Sequence, residues 1–397
     1  MLQRFRHGRD GHDMHMGEPG FLRKLIRRKT LEGLFLFVTA RCNSRCRTCF
    51  YAQENQQGED LTFDEIQRMS STAPAFDKLW LSGGEPTLRE DLVPIVEMFH
   101  HHNHVQSVNF PTNGLLPDRA EQMVEQLLQS CPKLTIHLNM SVDALEATHD
   151  AIRGVPGGFQ KVTETLDRME RFNGHPRLYR NVATVVTPEG LDQLFDLGAH
   201  LFQRYTLATQ FFEIVRGDPR EPAIKAVSRL QLEQLHRQVM PLYDAMAHRL
   251  FHRLPPGPRH LAKLYFGGVI ALLYRVQEEN VDGPHPWPMN CTAGQTTLVI
   301  DHNGAFRSCE MRPPVGRVQD FDFDLGAVLR SSVLRDEVQA IGGGARANCW
   351  CTHTCWTLSS MKFSPRTLLY AVPKAYLAYR RLGLPRFEAS PHPMTAS

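Results

Sequence analysis

From Leu34 to Gly217 the chain alternates short apolar runs with helical stretches, and this alternation limits its fold more than any other feature. The runs expected as strands are Leu34–Thr39, Lys78–Ser82, Ser107–Thr112, Leu134–Ser141, Tyr179–Thr187 and Gln210–Arg216. Helices are expected between them. One opens at the capping box Thr62-Phe63-Asp64-Glu65 and runs to about Ala73. The others cover Asp91–His102, Asp118–Ser130, Phe159–Phe172 and Gly190–Gln203. Leu34–Thr39 is almost continuously apolar, as a strand buried on both faces must be. Six strand–helix units in sequence predict a parallel sheet of α/β class.

Straight after the first strand come Cys42, Cys46 and Cys49. Three thiols within eight residues can converge on one metal centre, and thiolates favour zinc or iron–sulfur clusters over hard cations. A structural zinc site is normally closed by a fourth Cys or His at short spacing. Phe50, Tyr51, Ala52 and Gln53 supply none. Three ligands on a cubane cluster would leave one iron open to a small molecule. Arg41, Arg45 and Arg47 flank the thiols and could compensate an anionic cluster, or simply be solvated.

The Cys-x3-Cys-x2-Cys run followed by aromatic Phe50, with Gly83-Gly84-Glu85-Pro86 ending the second strand, resembles the signatures of radical S-adenosylmethionine (SAM) enzymes. The resemblance implies a partial (β/α)6 TIM-like barrel with its functional residues at the carboxyl ends of the strands. It implies that Cys42, Cys46 and Cys49 bind a 4Fe–4S cluster whose fourth iron is chelated by SAM. Reductive cleavage of SAM would then give a 5′-deoxyadenosyl radical, with the electron supplied by an external flavodoxin- or ferredoxin-like donor. By the same resemblance, Gly83, Gly84 and Glu85 hold the SAM ammonium. Asn113, Ser141, Asp143, Arg153, Thr187 and Val215 are the further cofactor-contacting candidates, and Arg216 lies beside them.

A second cysteine set comprises Cys291, Cys309, Cys349, Cys351 and Cys355. Asn303-Gly304 signals a tight hairpin turn between Leu298–Ile300 and Ala305–Cys309. This segment resembles the auxiliary-cluster domains called SPASM and twitch. The larger SPASM version needs seven or eight cysteines for two clusters, so five favour one auxiliary 4Fe–4S cluster with one cysteine in excess. Zinc is the other metal such thiols can hold. Cys131 stands alone and reads as a buried structural thiol. The run His100-His101-His102-Asn103-His104 reads as a solvated helix end.

The expected organisation is a tail and short basic helix over 1–30, the barrel over 31–217, and a helical connector over 218–285. An auxiliary-cluster domain over 286–362 and a C-terminal amphipathic helix and tail over 363–397 follow. Within the connector, Ser228 to Arg253 and Leu261 to Val276 are the helical stretches, separated by Pro255-Pro256-Gly257-Pro258. The second stretch packs on the barrel or forms a wall of an apolar substrate channel. The net charge of +3 over 397 residues is too small to argue a nucleic-acid partner. Met1 to Gly20 lacks a signal-peptide apolar core, and nine cysteines without such a signal point to a reducing, cytoplasmic setting. The basic helix Phe21–Lys29 and the segment Leu368–Arg381 each allow peripheral contact with a membrane surface. The function expected is a radical SAM oxidoreductase acting on a small or apolar metabolite. A ribosomal-peptide maturase, and a non-catalytic iron–sulfur or zinc scaffold, are the alternatives.

Overall fold

The computed structural model describes residues 31–53, 58–342 and 349–387. The basic segment Phe21–Lys29 lies outside these residues. Strand β1 (Gly33–Thr39) is buried along its whole length, because it runs inside the sheet. On one side it begins a parallel series with β2 (Lys78–Gly83), β3 (Ser107–Thr112), β4 (Thr135–Ser141), β5 (Leu178–Val186) and β6 (Thr209–Ile214). Each strand returns through helix: α1 (Phe63–Thr72), α2 (Leu92–Asn103), α3 (Pro117–Ser130), α4 (Glu146–Arg153) with α5 (Gly158–Met169), and α6 (Leu194–Arg204). Helical crossovers of this kind put all six carboxyl ends on one edge of the sheet.

On its other side β1 pairs in parallel with β7 (Thr297–Ile300), from Gly33 opposite Thr297 to Leu36 opposite Ile300. Antiparallel β8 (Ala305–Arg307) and β9 (Gly316–Arg317) then extend the sheet. The order is β6-β5-β4-β3-β2-β1-β7-β8-β9, and the sheet does not close. The hairpin anticipated around Asn303-Gly304 is therefore a continuation of the barrel sheet. Gly304 supplies the positive φ of 86° that the turn demands.

The two faces of β1 serve two cores, as strand alternation requires. Leu34, Leu36 and Val38 pack into the large core with Ile66, Met69 and the other helix residues. Phe35 and Phe37 point the other way, into an aromatic core with Tyr51, Trp287 and Trp356. Phe35 stacks on Trp80 at 4.6 Å between ring centres and meets Trp356 at 5.6 Å. Phe37 meets Tyr51 at 4.7 Å. The C-terminal third thus plugs the inner face of the sheet with rings.

Two long helices connect the halves, α7 (Arg229–Phe251) and α8 (Pro256–Asn280). The Tyr243 hydroxyl donates to the Gln210 carbonyl at 2.5 Å and lies 2.6 Å from the Tyr274 hydroxyl, tying both helices to β6. Here the proline run opens a helix as well as separating two. Pro256 occupies the first helical turn, where its missing N–H is harmless, so α8 starts five residues before Leu261. The remaining elements are α9 (Leu325–Arg330), α10 (Ser332–Ile341), α11 (Thr354–Met361), a π-helical turn (Thr367–Ala371) and α12 (Val372–Arg381). Among the described residues, no helix is long and apolar enough to cross a membrane.

Candidate active site

The loop after β1 carries Cys42, Cys46 and Cys49, and three neighbouring segments grip its backbone. From the β2 side, the amides of Gly84 and Glu85 donate to the carbonyls of Thr39 and Arg41, both at 2.8 Å. From α4, the carbonyls of Ile152 and Arg153 accept from Arg47 N at 2.9 Å and Arg45 N at 3.1 Å. Beyond β6, the amides of Arg220 and Glu221 donate to the carbonyls of Cys49 and Arg47. A loop without regular structure is thereby fixed as firmly as a strand.

The glycines of Gly83-Gly84-Glu85-Pro86 are needed for this grip. A Cβ on Gly83 would lie 2.3 Å from the Thr39 carbonyl oxygen, and one on Gly84 would lie 2.0 Å from that of Arg41. Both glycines approach the cysteine loop. Glu85 is buried, and its carboxylate is fully engaged by the chain. Oε1 accepts from the Thr87 amide (3.1 Å), the Thr87 hydroxyl (2.7 Å) and the Thr112 hydroxyl (2.9 Å). Oε2 accepts from the Asn113 amide at 2.8 Å. Burial pushes its pKa up, although all four donors pull the other way. Glu85 locks the end of β2 to the end of β3. Asn113 continues the lock, donating from Nδ2 to Asn43 Oδ1 at 2.7 Å and Ser44 Oγ at 3.0 Å.

Asp143 and Arg153 form a second lock. Arg153 Nε lies 2.6 Å from Asp143 Oδ2, Nη2 donates to Oδ1 at 3.0 Å, and Val185 N donates to the same Oδ1 at 2.9 Å. Arg153 Nη1 also reaches Cys46 Sγ at 3.7 Å. The cation at the thiols is thus Arg153, held by α4, an element the sequence pattern left unassigned. Of the flanking arginines, Arg47 bonds Glu221 and Glu189, and Arg41 bonds the Leu88 carbonyl. Ser141, Thr187 and Val215 lie at the carboxyl ends of β4, β5 and β6, on the edge that carries the cysteine loop. The Thr187 hydroxyl accepts from Gly190 N at 3.2 Å.

Burial pushes the Cys42 thiol up to about 12, and Glu85, Cys46 and Cys49 add to the rise against the Ser44 amide. A positive metal centre reverses that preference, because metal ligation requires the thiolate. The amide two residues on donates to the sulfur at 3.4 Å at Cys42, Cys309 and Cys351. Amide donors of this kind suit sulfurs that carry charge on iron. Among the described residues, no three His, Cys, Asp or Glu side chains come together as around a single metal ion.

The second cysteine set surrounds the aromatic plug. Cys291 precedes β7, Cys309 follows β8, Cys349 and Cys351 lie before α11, and Cys355 sits in its first turn. Burial raises the thiols of Cys291 to about 11 and of Cys351 and Cys355 to about 12. A buried charge chain joins this set to the barrel. Arg216, just after β6, lies over the Phe50 ring at 5.2 Å and donates to the His353 ring at 2.9 Å. His353 Nε2 is 3.0 Å from Glu310 Oε1, and Trp356 Nε1 donates to Glu310 Oε2 at 2.7 Å. Burial opposes the Glu310 charge, but His353 and Arg216 outweigh it and hold the carboxyl at about 2. The sequence reading missed Glu310 and His353, although each lies within two residues of a cysteine in the set.

Residues 36–197 match the family model described as the Radical SAM superfamily, so this part of the chain is a radical SAM domain. The chain is 33% identical over 162 residues to GTP 3′,8-cyclase of Tolumonas auensis, covering 40% of this chain and 42% of that protein. It is 30% identical over 174 residues to molybdenum cofactor biosynthesis protein moc-5 of Caenorhabditis elegans, covering 43% of this chain and 27% of that one. The matched part spans less than half the length of either relative. The structure of Streptococcus suis SuiB bound to precursor peptide SuiA shares the fold with TM-score 0.55 at 16% identity, over 81% of this chain and 70% of that one. Native anSMEcpe with bound AdoMet and Cp18Cys peptide gives 0.56 at 13% identity, over 88% and 99%. Domains of this family bind SAM and a 4Fe–4S cluster.

Proposed function

We propose that the chain is a radical SAM enzyme in which Cys42, Cys46 and Cys49 hold a 4Fe–4S cluster and SAM completes the fourth iron. The observation that carries this reading is the cysteine loop clamped at the carboxyl end of β1 by the Gly83–Glu85 turn, the end of α4 and the segment after β6. When bound, cluster and SAM supply a one-electron cleavage that yields a 5′-deoxyadenosyl radical able to take hydrogen from an unreactive C–H bond. The chain's own residues orient that chemistry. Arg153 offsets negative charge at Cys46. Glu85, Asn113 and Asp143 hold the strand ends in register, and Gly83, Gly84, Ser141, Thr187 and Val215 shape the edge where SAM would lie.

Cys291, Cys309, Cys349, Cys351 and Cys355 would hold one auxiliary 4Fe–4S cluster with one cysteine in excess. It would take up an electron from the substrate radical or bind the substrate. The reaction would be an oxidation or bond formation on a small or apolar metabolite, with a flavodoxin- or ferredoxin-like protein as electron donor. A peptide substrate is the second reading. Both fold relatives above were captured with peptides, over more than four-fifths of this chain.

The deciding experiment is anaerobic reconstitution with iron, sulfide, SAM and dithionite. The expected product is 5′-deoxyadenosine, formed even without substrate, and Cys42→Ala/Cys46→Ala/Cys49→Ala should abolish it. Absence of deoxyadenosine from fully reconstituted protein would leave the scaffold alternative. Deuterium transfer into deoxyadenosine from labelled metabolites or peptides then separates the two substrate readings.

A further inference from the structure

Helix α12 is apolar on two sides. Its inner side, Val372, Ala375 and Tyr379, is buried against the body of the protein. Gly267 and Gly268 of α8 allow the close seating, since a Cβ on Gly268 would lie 2.6 Å from the Val372 carbonyl oxygen. Tyr379 and Arg380 both bond Asp244 of α7, which fixes the rotation of the helix. The outer side is then presented in one orientation. Tyr370, Lys374, Leu377 and Arg381 follow one another at helical spacing along it, and all are exposed.

This outer side holds an unusual share of the molecule's exposed apolar surface. Of the large apolar side chains exposed among the described residues, Leu369 (74%), Tyr370 (61%), Leu377 (54%) and Leu382 (50%) lie within fourteen residues of sequence. Packing does not need them there, because the inner side already docks the helix. Charge says what does. From residue 363 to 387 the chain carries Arg366, Lys374, Arg380, Arg381 and Arg386 and no Asp or Glu. Apolar side chains set among cations, of which Arg380 is paired with Asp244 of α7, on a helix too short to span a bilayer are complementary to an anionic interface. The same patch rims a cavity of 710 Å³, where Arg366, Tyr370 and Lys374 share the lining with Val276, Glu279 and Cys291.

We infer that α12 and the turn before it dock the protein on an anionic lipid surface, with Leu369, Tyr370, Leu377 and Leu382 entering the interface and the basic residues contacting headgroups. This rests on the surface alone and is independent of the radical chemistry.

The test is co-sedimentation of the reconstituted protein with vesicles of phosphatidylcholine alone and with 30% phosphatidylglycerol (about 30 mol% chosen to give a strongly negative surface). The protein should pellet with the mixed vesicles at low salt, and the binding should weaken at high salt. Lys374→Gln/Arg381→Gln should lower the partition coefficient roughly 30-fold, about fivefold per cation removed. Leu369→Ser/Leu377→Ser should lower it on the order of tenfold or more. Lys133→Gln, in the turn before β4, should leave it unchanged. Iron content and circular dichroism, expected to match the parent, confirm that each variant is folded. No pelleting with anionic vesicles overturns the inference. So does equal binding to both vesicle types, or binding that both double variants retain. A dimer that forms without vesicle binding, and that Leu369→Ser/Leu377→Ser dissociates, assigns the patch to a second copy instead.

Discussion

Asn113 shows how one side chain can decide whether a metal loop is preformed. Its amide donates to Asn43 and Ser44 between the first two cysteines, while its Oδ1 accepts from Leu115 N. Asn113→Asp removes the donor and sets a carboxylate oxygen against Asn43 Oδ1. Iron incorporation should fall from about eight to about four per chain, the count of two cubanes against one, with secondary structure unchanged by circular dichroism. His149 gives the pH prediction. It accepts the Asp143 amide on Nδ1 at 3.1 Å, so it must be neutral. Burial, with Arg153 nearby, lowers its pKa to about 4. The unfolded chain, where a histidine titrates near 6.5, therefore binds the extra proton first. Stability from this group is complete above about pH 6.5 and is lost as pH falls toward 4, by about 3 kcal/mol. Urea midpoints measured at pH 7 and pH 5 should differ more for the parent than for His149→Gln. Residue roles of this kind were only partly legible in the sequence. The family resemblance brought Glu85, Asp143 and Arg153 to notice as cofactor contacts. What turns them into locks is their pairing: Asp143 with Arg153 ten residues on and with the Val185 amide, and Glu85 with Thr112 and Asn113 of the next strand end.

At the scale of elements, α4 is the piece periodicity did not show. Eight residues with only His149 and Ile152 buried make too short a stripe to register. Yet its last turn supplies two of the bonds that hold the cysteine loop, and Gly154 (φ 65°) lets it do so, since a Cβ there would lie 2.8 Å from the Arg45 carbonyl oxygen. Arg153→Met should cost several kcal/mol, roughly 3–5, because it strands the buried Asp143 carboxylate. Differential scanning calorimetry would read this as a lowered Tm. The six long strands, by contrast, were legible to within a residue or two. Strand β1 is buried throughout and the others mix buried with half-buried positions, but each is bounded by turn residues with no competing pattern. Strand β1 carries both cores, so Leu36→Ala should destabilise by about 2–5 kcal/mol, measured by denaturant unfolding.

Across the whole molecule, the parallel sheet and the position of the first cysteines at its carboxyl edge followed from local pattern alone. The pairing of β7 with β1 did not. It joins residues more than 260 positions apart, and nothing within a four-residue strand announces its neighbour. The Arg216–His353–Glu310 chain was hidden for the same reason. Glu310→Gln should leave iron content near the parent's but weaken the contact between barrel and C-terminal third. Differential scanning calorimetry would then show a lowered Tm.

The β1–β7 ladder has one more bearing. The cysteine loop springs from the carboxyl end of β1, whereas β8 runs back along β7, Val299 opposite Arg307, so Cys309 follows at the amino end and the two thiol sets leave one hydrogen-bonded sheet at opposite ends of its strands. Electron tunnelling falls off exponentially with separation. For two iron centres held there, the gap would be a constant of the backbone, and the transfer rate would not wait on any hinge.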